Sequence, residues 1–105
     1  MKVLLVDDEE EFVQTLAERL EIRGISAVVA ANGIEALHLV EEEQPQIVVL
    51  DVMMPGLGGL EVLQRLKTGH PHMQVILLTG HGSTKEGIEG MHLGAGPHRI
   101  PKEAE

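Results

Sequence analysis

Three aspartates at the ends of two apolar runs are the residues of this sequence best suited to chemistry. Asp7 and Asp8 follow the run 3–6, and Asp51 follows the run 47–50. A short apolar run bounded by polar residues is typical of a buried strand. An acidic residue at the end of such a strand is unexpected unless the strand opens there onto a site. Two such ends therefore predict one shared pocket.

The chemistry of this pocket follows from its carboxylates. In a shared pocket they repel one another unless a hard cation joins them. Oxygen ligands suit Mg²⁺, which takes few protein carboxylates, keeps several waters and readily binds a phosphate. An aspartate can itself accept a phosphoryl group as an acyl phosphate. The pattern therefore indicates a phosphoryl-handling site with Mg²⁺, in which Thr79, at the end of a later apolar run, would hydrogen-bond the phosphoryl oxygens.

Each of these residues also has an ordinary explanation when it is taken alone. Asp7 and Asp8 would suit the start of a helix, as an N-cap and a first-turn acid. Asp51 would suit a turn, and Thr79 would simply end a strand. Their occurrence in order at three strand ends favours the shared site over these separate explanations.

Composition narrows the class of protein. The chain has 105 residues, 43% of them apolar, which is typical of one soluble globular domain. A net charge of -9 argues against nucleic acid and anionic membranes as partners. The sequence contains no cysteine, which excludes disulfides and thiolate metal sites and fits a reducing compartment. Since no apolar stretch approaches the roughly 18 residues of a membrane span, we expect a cytoplasmic protein.

The elements that must position the aspartates alternate along the chain. Short apolar runs separated by stretches of helical spacing are typical of a parallel sheet covered on both faces. Ligands of such sheets bind beyond the carboxyl ends of the strands. If the first and third strands are neighbours, their spacing of about 4.8 Å brings the three carboxylates together. We predict strands at 2–7, 25–31, 46–50, 74–78 and, more weakly, 97–100, and helices at 9–23, 33–43, 59–67 and 84–93.

Beyond these patterns, the chain resembles a receiver domain of the bacterial two-component response regulator family. The segments that carry the resemblance are 3–9, 47–56, 59–63, 75–80 and 93–95. Each segment is weakly diagnostic, but their combination is specific. The resemblance implies an α/β fold with a doubly wound, parallel, five-stranded sheet of order 2-1-3-4-5, similar to that of flavodoxin and CheY.

The resemblance also implies a role for each site residue. Asp51 would be the phosphoacceptor and Thr79 the switch hydroxyl that follows the phosphoryl group. Mg²⁺ would be bound directly by Asp8, through water by Asp7, and by the backbone carbonyl of Met53. The phosphoryl donor would be a sensor histidine kinase, a phosphotransfer protein or a small acyl phosphate. The domain would then be a signalling switch that catalyses only its own phosphotransfer and dephosphorylation, rather than a conventional enzyme.

One family feature is altered near the end of the chain. The family has a Lys-Pro pair after its fifth strand, whereas this sequence has Pro101 followed by Lys102. The usual register puts the lysine at position 101. Because one step along a strand turns a side chain to the opposite face, Lys102 would reach the site only through a bulge or loop. The alternative function is therefore a pseudo-receiver, a protein-interaction module that works without phosphorylation.

The last residues also depart from the family. We expect a single receiver domain over 1–105 that is incomplete at its C-terminus, with 96–105 irregular. The fifth helix, which the family packs beside the first, has no counterpart in these 105 residues. Its absence would expose apolar surface on the first helix. A homodimer would cover that surface.

Overall fold

The computed structural model describes residues 1–54, 58–79 and 99–101. Their strands form one parallel sheet of order β2-β1-β3-β4-β5. This order confirms the doubly wound α/β fold, and the fourth predicted helix, 84–93, lies outside the described residues. In chain order the elements are β1 (Lys2–Val6), α1 (Glu10–Ile22), β2 (Ser26–Ala30), α2 (Gly33–Glu43), β3 (Ile47–Asp51), α3 (Gly59–Gly69), β4 (Gln74–Thr79) and β5 (Arg99–Pro101).

Strand β1 is apolar because both of its faces are covered. Side chains alternate between the faces of a strand, so Leu4 and Val6 lie on one face of β1 while Val3 and Leu5 lie on the other. All four are buried. This double burial explains why the run has no polar alternation, as expected for a parallel sheet between helices.

The three helices of the described residues are divided unequally between the two faces. Helices α2 and α3 pack on one face, where Val40, Val62 and Leu63 are fully buried in the larger core cluster. Helix α1 packs on the other face through Val13 and Ala17. The larger core therefore lies between the sheet and the α2–α3 pair. No helix in the described part of the chain has the length and apolar character needed to cross a membrane.

Local signals in the sequence set where the helices begin and end. Asn32 caps α2, since its side chain accepts a hydrogen bond of 2.8 Å from the backbone N–H of Glu35. The Glu35 side chain in turn accepts from the backbone N–H of Ala31 at 3.2 Å. After α1, Gly24 turns the chain toward β2 with a φ of 80°, a conformation that glycine adopts without strain.

The short strand β5 pairs with β4 and closes the described sheet at that edge. Arg99 lies opposite Leu77, and Pro101 lies opposite Thr79. This strand was predicted weakly at 97–100 and is observed as Arg99–Pro101. The sequence signal for β5 is weak because the strand has only three residues. One of them is Pro101, which lacks the backbone N–H that a strand uses in pairing.

Candidate metal centre

The pairing of β1 with β3 brings two of the three aspartates side by side. Val6 lies opposite Leu50 in this parallel ladder, so Asp7 and Asp51 follow at the same level. The strands on the far sides, β2 next to β1 and β4 next to β3, also hold these two strand ends. The backbone N–H of Asp7 donates to the Ala30 carbonyl at 3.1 Å, and that of Val52 donates to the Leu78 carbonyl at 3.3 Å. The sheet therefore supports both aspartates from two sides.

The two buried aspartates, Asp7 and Asp51, are oriented by the same kind of hydrogen bond between side chain and backbone. Asp7 Oδ1 accepts a hydrogen bond of 2.9 Å from the backbone N–H of Glu9. Asp51 Oδ1 accepts one of 2.9 Å from the backbone N–H of Met53. In each turn a side chain bonds to the main chain two residues later, which is a common use of aspartate at the start of a turn. Each bond holds one carboxylate oxygen and so fixes the direction of the other.

The three carboxylates form one cluster at the carboxyl edge of the sheet. Asp7 and Asp51 are each only 1% exposed, whereas Asp8 is exposed. One oxygen from each residue lies within 4.8 Å of the other two. Among residues 1–54, 58–79 and 99–101, this is the one group of three or more acidic, histidine or cysteine side chains that could share an ion.

The electrostatics of the cluster favour a cation. Two unit charges at the upper limit of 4.8 Å repel by about 3.5 kcal/mol at an effective dielectric constant of about 20. Burial of Asp7 and Asp51 limits the water that screens this repulsion. The ligand atoms are all carboxylate oxygens, which suit a hard divalent ion such as Mg²⁺ rather than a soft transition metal. The residues present therefore fit the metal that the sequence predicts.

The remaining predicted site residues are Met53, Thr79 and Lys102. Met53 lies in the turn after β3, where its N–H bonds to Asp51 and its side chain is 53% exposed. Thr79 is the last residue of β4 and follows Leu78, the partner of Asp51 in the sheet. Lys102 lies outside the described residues. The structure thus brings Asp7, Asp8, Asp51 and Met53 together at one edge, and their proposed roles remain predictions.

One residue at the site was not identified from the sequence. A Cβ atom placed on Gly59 would lie 2.4 Å from Val52 Cα and 2.8 Å from the backbone oxygen of Asp51. Helix α3 therefore begins in direct contact with the backbone that follows β3. The glycine-rich stretch before α3 indicated a break between elements, but nothing in it distinguished Gly58 from Gly59, since this contact arises only in the folded chain.

Comparison with known proteins gives a consistent assignment. The model of the response regulator receiver domain family matches residues 3–103. Response regulator MprA of Mycobacterium avium is 36% identical over 102 residues, which make up 97% of this chain and 44% of that protein. The transcriptional regulatory protein YkoG of Bacillus subtilis is 42% identical over 93 residues, or 89% of this chain and 41% of that protein. The chain thus spans less than half the length of these curated relatives.

Solved structures agree with the sequence comparison. The receiver domain of a response regulator from Clostridium thermocellum has a TM-score of 0.88 at 36% identity, covering 96% of this chain and 81% of that one. The receiver domain of the Francisella response regulator 1452 has a TM-score of 0.86 at 34% identity, covering 97% of this chain and 84% of that one. Since the family model, the relatives and the fold agree over nearly the whole sequence, this chain belongs to the response regulator receiver domain family.

Proposed function

We propose that this receiver domain accepts a phosphoryl group on Asp51 from the phosphohistidine of a sensor histidine kinase or phosphotransfer protein. Asp7, Asp8 and the Met53 backbone carbonyl would hold Mg²⁺ together with Asp51. The observation that carries this proposal is the clustering of the three carboxylates within 4.8 Å, with Asp51 almost fully buried. A buried acid among other acids destabilises the fold, and a bound cation would offset that cost.

The chain's own residues explain how Asp51 would react. The N–H of Met53 holds Oδ1 at 2.9 Å, so the carboxylate keeps one orientation before the donor arrives. An Asp51 oxygen would form the new O–P bond while the P–N bond of the phosphohistidine breaks, and its electron pair stays on the imidazole nitrogen. When bound, Mg²⁺ supplies positive charge that offsets the negative charge of the phosphoryl oxygens.

The surroundings of Asp51 would also protect the product. An acyl phosphate is lost by hydrolysis, and the buried position of Asp51, which is 1% exposed, would leave water few directions of attack once the donor has left. The exposed Asp8 marks the side from which the donor would approach. We propose that Thr79 then follows the phosphoryl group and transmits the change toward the β4–β5 edge, where an output partner would sense it.

Other proposed properties follow from charge. This domain carries a net charge of -9, so we propose that it makes no direct contact with nucleic acid or an anionic membrane. Any action on genes would belong to another part of a regulator or to another chain. The proposed working compartment is the cytoplasm.

Phosphorylation of Asp51 is tested by incubation with acetyl phosphate and Mg²⁺, followed by intact mass spectrometry. The wild-type protein should gain one phosphoryl group, and the gain should disappear on treatment with hydroxylamine, which cleaves acyl phosphates. Asp51→Asn should gain none. Glu18→Gln, which removes one charge at an exposed position of α1, should behave as the wild type. A phosphoryl gain that persists in Asp51→Asn would refute the assignment.

A second candidate function is favoured by one observation in the sheet. Pro101 lies opposite Thr79, at the position where the resemblance implies a lysine. Without a cation there, Asp51 phosphorylation would not propagate, and the domain would act as a phosphorylation-independent interaction module. Adding beryllofluoride with Mg²⁺ and recording backbone NMR shifts separates the two functions. In the wild type the shifts would stay within the site, whereas in the double variant Pro101→Lys/Lys102→Pro they would extend along β4. This result would favour the phosphorylation-independent interaction module.

A further inference from the structure

Gly59 makes an unusually close main-chain contact with the segment that follows the candidate phosphoacceptor. A Cβ at this position would lie 2.4 Å from Val52 Cα, 2.8 Å from the backbone carbonyl oxygen of Asp51 and 3.1 Å from the Val52 carbonyl carbon. All three neighbours are backbone atoms, so no change of side-chain rotamer relieves the clash. The adjacent Gly58 has no atom within 4 Å of the equivalent position.

We infer that Gly59 is a positioning residue for the acidic site, an inference that rests on the proposed function. The absence of a side chain lets the first turn of α3 lie against the backbone of Asp51 and Val52. This contact holds the turn in which the Met53 N–H bonds to Asp51 Oδ1 at 2.9 Å. Gly59 thereby acts on Asp51 through the main chain, without itself contacting a ligand.

A Cβ on Gly59 would displace the neighbouring backbone far enough to disturb the acidic site. Ordinary contacts of a Cβ begin near 3.4 Å. A methyl group 2.4 Å from Val52 Cα therefore requires α3 and Val52 to move apart by about 1 Å. Helix α3 is anchored in the core by Val62 and Leu63, both 0% exposed. The backbone of Asp51 and Val52 must therefore take part of the movement. Misplacement of a reacting group by about 1 Å is enough to lower a rate by about 100-fold.

The experiment compares Gly59→Ala with Gly58→Ala, using Mg²⁺ and acetyl phosphate as the two probes. Isothermal titration gives the affinity for Mg²⁺, and labelling by acetyl phosphate gives the rate at Asp51. We expect Gly59→Ala to bind Mg²⁺ at least about tenfold more weakly and to be labelled about 100-fold more slowly. Gly58→Ala should stay within about twofold of the wild type on both measurements, because the added methyl meets no atom.

A core variant separates positioning from general loss of stability. Val40 is 0% exposed and lies on α2, so Val40→Ala should lower Tm while leaving Mg²⁺ affinity unchanged in the folded protein. If Gly59→Ala does not fold in buffer, the titration of all variants is repeated in trimethylamine N-oxide, which favours the compact state.

The outcomes distinguish the inference from the proposed function. Wild-type binding of Mg²⁺ that persists within about twofold in Gly59→Ala would overturn the positioning role alone. Equal weakening in Gly59→Ala and Val40→Ala would also overturn it, because the effect would then follow stability. A wild-type protein that neither binds Mg²⁺ nor is labelled would overturn the proposed function, and this inference with it.

Discussion

Val6 lies directly opposite Leu50 in the parallel pairing of β1 with β3. Because of this register, Asp7 and Asp51 leave adjacent strands at the same level and on the same face of the sheet. A slip of one residue would turn the Asp51 side chain to the opposite face. The acidic cluster therefore depends on the register of β1, whose apolar side chains are buried on both faces, and β3, whose Val48 and Leu50 are buried on one face.

Mg²⁺ should stabilise the folded protein, because it relieves repulsion that exists only when the carboxylates are brought together. At a concentration 100 times the dissociation constant, the gain is about 2.7 kcal/mol, which corresponds to a rise in Tm of roughly 10 °C or more. Thermal melts with Mg²⁺ and with EDTA measure this. Asp8→Asn should lose most of the rise, and Glu18→Gln should keep it. An equal rise in both variants would argue against a site at Asp8.

Substitution of Thr79 should separate binding from switching. Thr79→Ala removes the hydroxyl and should leave Mg²⁺ affinity within about twofold of the wild type, because Thr79 is outside the proposed ligand set. The NMR shifts that beryllofluoride induces beyond the site should shrink strongly in Thr79→Ala and be retained in Thr79→Ser. Full shifts in Thr79→Ala would show that the hydroxyl is not the transmitting group.

The cap of α2 should contribute measurably to stability. Asn32→Ala removes the acceptor of the 2.8 Å hydrogen bond from the Glu35 N–H and should lower the free energy of unfolding by about 1 kcal/mol. Urea denaturation measures the change, and Asn32→Ser should recover most of it because serine also caps helices. A loss below about 0.3 kcal/mol in Asn32→Ala would indicate that water satisfies this helix end equally well.

Two glycines with open surroundings should respond in opposite directions to alanine. Neither Gly24 nor Gly69 has an atom within 4 Å of an added Cβ. Gly24 has a φ of 80°, so Gly24→Ala should cost about 1 kcal/mol through backbone strain. Gly69 ends α3, and Gly69→Ala should raise stability by about 0.5 kcal/mol because alanine favours the helix. Urea midpoints of the two variants check the sign, and a stabilising Gly24→Ala would contradict the argument.

Much of the fold could be predicted because its signals are local. Apolar runs such as 3–6 and 47–50 indicated buried strands, and the observed strands β1 and β3 differ from the predicted ones by a single residue at one or both ends. The positions of α1, α2 and α3 likewise followed from helical spacing, and Gly24 and Gly69 indicated where α1 and α3 end. The weak fifth strand was harder to place, since a strand of three residues that includes Pro101 has almost no local signal.

The sequence by itself determined which residues are chemically able to form the site, because residue type and position at a strand end can be read directly. Only the tertiary structure decided that β1 and β3 are neighbours, that Asp7 and Asp51 stand at one level, and that Gly59 touches the backbone of Val52. These relationships join parts of the chain that lie far apart in sequence. Periodicity describes one segment at a time, whereas strand pairing and close main-chain contacts depend on how segments pack together.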